Sequence, residues 1–536
     1  MDCSRSGIKR IYGRIGLNKR NDVSFFWVAF SFLAVYFGCV AYAQIFIRDY
    51  DFGFLTVIAL AVSAVACFFG VYFFGGIELK TVLRDKRSKA LIFAVTVFIA
   101  TFLIYYSWQR VIYPGSFSPD SIEQYKQTQL NEYNDWHPVL HTWLFFGLPN
   151  IFSDSPALLV TLQLVWFSLA ITYLLYVLYT DGCPKTFIAI SWAYIVLNPN
   201  TALIMLYPWK DSAFTILSTV MLAQCVRIYR SNGKWLLKWC NTVAFALFAF
   251  LANGVRHNAI LLVLPTFIVI FVFLKQSRRR LLVAGSIFLI LTLLLKLPIY
   301  SVAEVGSPKH RTTEVMGLPM TVLADVYMND RDALDDEAVE FLDSLATQAR
   351  WEKYYTFGSF NSFKWSDGRI YDKIDQEGAE KILSYTFSAV KNSPNVAKKS
   401  VFELTKMVWS VDGGGGWTIG YGITGNEFDI RGEYDYDGLD VINAYRKIIN
   451  GFGTKYLFNY TGIIIAMLLT VAVARIGKAG WSKVFSVIPL MVYNFGTMLL
   501  LTGHDFRFFH LNFVAVIPLL YIMLTNKQAA DNCIAS

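Results

Sequence analysis

The chain has 536 residues, 55% of them hydrophobic, 16% aromatic and only 16% charged, with a formal net charge of +9. A water-soluble protein of this length carries about a quarter charged residues, so the composition excludes an ordinary soluble enzyme. The positive balance does not point to nucleic acid, because the basic residues cluster at the ends of apolar runs, where they report membrane orientation.

About twelve apolar runs have the length needed to cross a bilayer core as helices. In chain order they lie near 25–47, 53–77, 90–108, 156–179, 186–206, 212–229, 239–255, 259–274, 281–299, 456–474, 484–502 and 511–526. The first is too long for a cleavable leader and has no small-residue cleavage site before the next charges. Basic residues occupy alternate connectors. Arg5, Lys9, Arg10, Arg14, Lys19 and Arg20 precede the first run, and Arg84, Lys86, Arg87 and Lys89 follow the second. Arg227, Arg230, Lys234 and Lys238 follow the sixth, Lys275 and Arg278 to Arg280 the eighth, and Arg475, Lys478 and Lys483 the tenth. By the positive-inside rule these connectors and both termini are expected in the cytoplasm of a multi-pass cytoplasmic-membrane protein.

The expected fold is therefore an all-α polytopic membrane protein of about 12 transmembrane helices with an external, mostly helical soluble segment. Four regions are expected: 1–89, the N-terminus and two accessory helices; 90–299, a membrane core with the first large external loop; 300–455, the external segment; and 456–536, the last helices and the tail. Within the external segment, 332–344, 378–390 and 396–409 carry helical spacing, and Gly413 to Gly416 force a turn or flexible loop. The seven cysteines all lie outside that segment, so neither an external disulfide framework nor a zinc site is expected.

The alternation places the conspicuous polar clusters on one side of the membrane. The first is Pro114-Gly115-Ser116-Phe117-Ser118-Pro119-Asp120-Ser121-Ile122-Glu123-Gln124. Ser118-Pro119 is a helix start, so Ser118 can cap while Asp120 sits in the first turn. A carboxylate there can accept a proton from a hydroxyl. Asp135 and His137 follow, with His141 one turn further on; Asp120, Asp135 and His137 could hold a divalent ion such as Mg or Mn. Next come Lys210-Asp211, Arg256-His257-Asn258 and His504-Asp505-Phe506-Arg507, each at the end of an apolar run. Solvated loop ends and cations snorkelling to headgroups are the plain alternatives for each. Lys210, Arg256 and Arg507, on separate helices, could instead surround one phosphate.

Taken in order, these motifs, together with Asp135-Trp136-His137-Pro138-Val139-Leu140-His141-Thr142 and Phe506-Arg507-Phe508-Phe509-His510, resemble a bacterial family of polytopic membrane proteins. That family is similar to glycosyltransferases of the GT-C superfamily. The resemblance covers roughly residues 90–525. It departs in two additional spans before the motif loop, in His257 where a second Asn is expected, and in Phe508 where Tyr often follows the arginine. It implies transfer of a sugar from a polyprenyl-phosphate donor to a glycan, lipid or protein acceptor, with an inverting outcome and no certain cofactor. Asp120 would be the general base, with Asp135 and His137 positioning the acceptor or binding a metal. Glu123, Gln124, His141, Lys210, Asp211, Arg256, His257, Asn258, His504 and Arg507 would contact substrate. Transport or flipping of lipid-linked sugars and polysaccharide polymerisation or ligation are the alternatives, and transport is weighed down by the lack of an internal repeat.

Overall fold

The computed structural model of the protein describes residues 20–46, 54–82, 87–308, 311–411, 419–451 and 453–525. The Gly413 to Gly416 loop, Cys3, Cys533, Arg84, Lys86 and the N-terminal basic residues before Arg20 lie outside the described residues. Helix dominates. Among the described residues the paired strands are Ile112–Tyr113 and Glu433–Tyr434, a short antiparallel ladder.

Each expected apolar run falls on helix, but not every one is a full span. Six helices are long and apolar enough to cross a membrane: Trp27–Ile45, Ser88–Val111, Pro156–Thr180, Lys210–Arg230, Lys275–Val302 and Phe506–Leu524. A seventh arises if Lys185–Val196 and Pro199–Met205 count together, although they bend by 58°. Proline causes that break. Pro199 has no N–H to continue the ladder, and Asn198 caps a new helix by accepting from the Asn200 amide at 3.0 Å. Trp239–Gly254 and Thr461–Ala474 are shorter apolar helices. At 1.5 Å per residue they reach about 20–25 Å, less than a hydrocarbon core of about 30 Å.

Burial separates a centre from a perimeter. The most hydrophobic 18-residue stretch is 89% buried in Lys210–Arg230 and 83% buried in Phe506–Leu524, but only 11% buried in Lys275–Val302. The outer helices expose large apolar side chains, such as Leu91, Ile92, Val95, Ile99 and Leu103 on one and Leu282, Leu289, Ile290 and Leu293 on another. Such a surface suits hydrocarbon and not water.

Residues 311–411 form helices around a second core that includes Met320, Leu323, Phe341, Leu342, Trp351, Phe360 and Phe363. The helix expected over 332–344 is Asp336–Leu345, preceded by a single tight turn at Arg331–Ala333. Those expected over 378–390 and 396–409 are Ala379–Asn392 and Pro394–Trp409. Pro394–Trp409 packs on Thr461–Ala474 and so ties this unit to the apolar bundle.

One loop positions the motif that follows it. Residues 112–117 thread between elements: the Ser116 amide donates to Leu206 O at 3.0 Å, and the Phe117 amide to Gly422 O at 2.9 Å. Gly115 has φ +139°, and a Cβ there would lie 2.7 Å from Val160 Cγ2. Both the conformation and the contact demand glycine. Gly115→Ala is expected to destabilise the protein by about 1–3 kcal/mol. Thermal unfolding in lipid nanodiscs reads this, and an unchanged midpoint would refute the close approach.

Candidate functional site

Helix Pro119–Leu130 begins with Ser118 as its cap, accepting from the Ser121 amide at 3.4 Å. Trp209 Nε1 donates to the same Ser118 oxygen at 2.7 Å. This frees Asp120 in the first turn to face another element. Its carboxylate meets Arg507 Nη1 at 3.0 Å.

Arg507 lies in the Phe506–Phe509 turn, which Asp505 caps by accepting from the Arg507 amide at 3.1 Å. The Asp505 carboxylate also pairs with Arg507 Nε at 2.7 Å. Beneath lies Asp211, 1% exposed, with its Oδ2 at 3.9 Å from Arg507 Nε. Asp211 ion-pairs with Arg256 Nη1, and Arg256 Nε donates to Asn258 Oδ1 at 2.6 Å. The Trp209 ring lies 4.9 Å from the Arg507 guanidinium, and the Phe214, Tyr493 and Phe508 rings lie 5.3 to 5.7 Å from that of Arg256. Aromatic faces of this kind offset part of the cost of burying a cation.

A second cluster adjoins the first. His137 is buried, with Nδ1 at 3.4 Å from Lys210 Nζ. Asp135 pairs with Lys296 Nζ at 2.7 Å and accepts from the Tyr300 hydroxyl at 2.8 Å. Its backbone carbonyl accepts from His257 Nε2 at 3.1 Å, while Asn258 Nδ2 donates to Thr497 Oγ1 at 3.0 Å.

Both clusters border one cavity of about 660 Å³. Of the residues expected from the sequence, Asp120, Asp135, His137, Lys210, Arg256, His257, Asn258 and Arg507 line it. Residues 311–411 supply a further wall with Glu314, Asn361, Lys364 and Trp365. Lys364 Nζ lies 2.7 Å from Glu314 and 3.1 Å from Thr502 Oγ1. Five cations face four carboxylates, and Asp211 beneath makes a fifth. Arg256 and Arg507 are therefore not bare positive charges, as a simple clamp would have them. Among the described residues Lys210 is the lining cation that has no carboxylate within ion-pair distance.

Other expected contacts lie elsewhere. Glu123 is exposed and accepts from Gln127 Nε2 at 3.4 Å, because it falls on the outer face of its helix. Gln124 and His141 are buried together, His141 Nδ1 lying 2.5 Å from Gln124 Oε1, and they lock helix Pro119–Leu130 to Val139–Thr142. His504 donates to the Glu403 carbonyl at 2.5 Å and ties the Arg507 loop to Pro394–Trp409. Asp211 sits behind both arginines and outside the cavity lining. Among the described residues no three His, Cys, Asp or Glu side chains gather to hold a metal ion. Of the three residues named for one, Asp120 faces Arg507, Asp135 faces Lys296, and His137 faces Lys210.

Sequence reasoning missed several lining residues. Lys296 had a signal, since it is a lone cation inside the apolar run 281–299. Glu314, Lys364 and Trp365 had none.

Charge states follow from the contacts. Burial alone would raise the Asp120 carboxyl, but Arg507 and Lys210 hold it well below the usual carboxylate range. Burial and the nearby Lys210 push His137 down to about 3, so its ring is neutral at physiological pH. Comparison with protein families, curated proteins and solved structures finds no match.

The ion pairs make a sharp stability prediction. Arg256→Ala leaves Asp211 buried beside a lost partner and should cost about 3–5 kcal/mol. Adding Asp211→Asn removes the stranded charge and should recover much of that loss in a double-mutant cycle. Strictly additive losses in unfolding midpoints would show that the two side chains do not depend on each other.

Proposed function

We propose that the protein is a membrane glycosyltransferase with a GT-C-like fold. It would move a sugar from a polyprenyl-phosphate donor to a glycan, lipid or protein acceptor on the external face of the cytoplasmic membrane. The observation that carries this reading is the convergence on one cavity of three cations from separate helices and a carboxylate. Lys210, Arg256 and Arg507 suit a phosphate, and Asp120 suits the proton of an attacking hydroxyl.

In the reaction the acceptor oxygen bonds to the anomeric carbon as the bond from that carbon to the phosphate oxygen breaks. The hydroxyl proton passes to Asp120, and the phosphate leaves as an anion held by Lys210 and Arg507. Paired with Arg507 at 3.0 Å, Asp120 is a weak base. A donor phosphate competes for Arg507, loosens that pair and restores basicity to the carboxylate. The site thus gains its base when the donor arrives. Asp135, held by Lys296 and Tyr300, fixes the loop that bears His137 and orients the acceptor.

Two experiments test the reading. Mass spectrometry of lipid-linked sugars and envelope glycans, with and without the gene, should show one glycan lost and its polyprenyl-phosphate sugar accumulating. Asp120→Asn, expressed at the normal level, should reproduce the deletion with a rate loss of roughly 100-fold or more. Unchanged glycans in the deletion, or full transfer by the Asn variant, would end the proposal. Orientation is tested separately. Glu132→Cys, on a background free of native cysteines, should react with an impermeant maleimide in intact cells. Labelling only after lysis would place the cavity on the cytoplasmic side.

A further inference from the structure

Residues 311–411 do more than cover the bundle. Trp365 is 58% exposed, whereas Trp351, Phe360 and Phe363 of the same unit are buried. It lines the cavity together with Trp136, which comes from the Asp120–His141 region. Between them sits Tyr371, with its ring centroid 5.6 Å from that of Trp365 and 6.3 Å from that of Trp136, both edge-on. The Lys364 ammonium lies 5.5 Å from the Trp365 ring and 6.0 Å from the Tyr371 ring. Glu314 and Asn361 add an acceptor and an amide beside them. Trp136, Lys364 and Trp365 border the same cavity as Asp120.

These features suit one class of ligand. A sugar ring has an apolar face of C–H bonds and a rim of hydroxyls. The C–H face packs against the electron-rich face of an indole, while the rim needs donors and acceptors together. A lipid tail would leave Lys364 and Glu314 facing hydrocarbon at considerable cost.

We propose that Trp365 and Trp136, with Lys364, Glu314 and Asn361, form a saccharide subsite that binds the acceptor. The acceptor class is then a glycan or glycolipid rather than an unglycosylated protein. This deepens the transferase reading and rests on it for the word acceptor, but the binding itself does not.

The test reads binding without donor. Full-length protein in nanodiscs is applied to an array of defined oligosaccharides, and the tightest ligand is titrated against variants. Wild type should hold at least one saccharide. Trp365→Leu keeps apolar bulk without the aromatic face and should weaken binding by about tenfold, within the range for a lost aromatic contact. Trp365→Phe should weaken it by less than about threefold. Absence of any bound saccharide, or equal binding by Trp365→Leu, would overturn the subsite. Loss of transfer with unchanged saccharide binding in Trp365→Leu would overturn it too. Saccharide binding that depends on Trp365 in a protein found to transfer nothing would preserve the subsite and remove the transferase reading alone.

Discussion

The Arg256 and Arg507 side of the site depends on how the buried carboxylate of Asp211 is compensated. An isolated charge in such a setting is penalised by several kcal/mol or more. Asp211 sits at the start of the most buried long helix and is answered by Arg256 at the end of another helix and by Arg507 at the start of a third. Three helix ends are thereby brought together. The positive end of the Lys210–Arg230 helix adds to the same balance. Once Arg507 is drawn in, its outer face is what Asp120 and Asp505 meet. The Arg256 and Arg507 side of the cavity thus takes its charge pattern from one buried carboxylate below it, while the Lys296–Asp135 and Lys364–Glu314 pairs form separately.

The same logic explains why central helices carry the polar groups. Lys210–Arg230 and Phe506–Leu524 are shielded by the outer helices, whose exposed faces are apolar. A charge on the perimeter would face hydrocarbon, whereas one at the end of a central helix faces a polar cavity. Gly115 and the backbone bonds of Ser116 and Phe117 then fix Asp120 above that end. The loop is held by packing and main-chain hydrogen bonds, so the Asp120 carboxylate that follows it does not also have to stabilise it.

Much of this was legible in the sequence because charge within apolar runs is costly and therefore conspicuous. Asp120, Lys210, Arg256 and Arg507 stood out for that reason, and they do border one cavity. Ser118 was readable as a cap from Ser-Pro-Asp alone. Glu123, Gln124, His141 and His504 were drawn in by proximity to those motifs, which does not specify a face. On a helix beginning at Pro119, Asp120 and Glu123 diverge enough that one meets Arg507 and the other faces solvent. Span count was harder, because hydropathy does not register the short lengths of Trp239–Gly254 and Thr461–Ala474. Lys364 and Trp365 could not be found at all. Their place in the cavity wall arises from a tertiary contact, in which Lys364 reaches Thr502 across 138 residues of sequence.

That contact bears on how the two halves of the cavity work together. Thr502 and Gly503 precede the Arg507 turn directly, and a Cβ on Gly503 would lie 2.7 Å from both Asn361 Cβ and Ser359 Oγ. His504 is fastened to the Glu403 carbonyl from the other side. The loop that carries Arg507 is therefore clamped by residues 311–411 at successive positions. Arg507, which this packing holds in place, is also the partner that keeps the Asp120 carboxyl well below the usual carboxylate range. The 311–411 wall and the Asp120–Arg507 pair thus belong to one continuously packed region, joined through Thr502, Gly503 and His504.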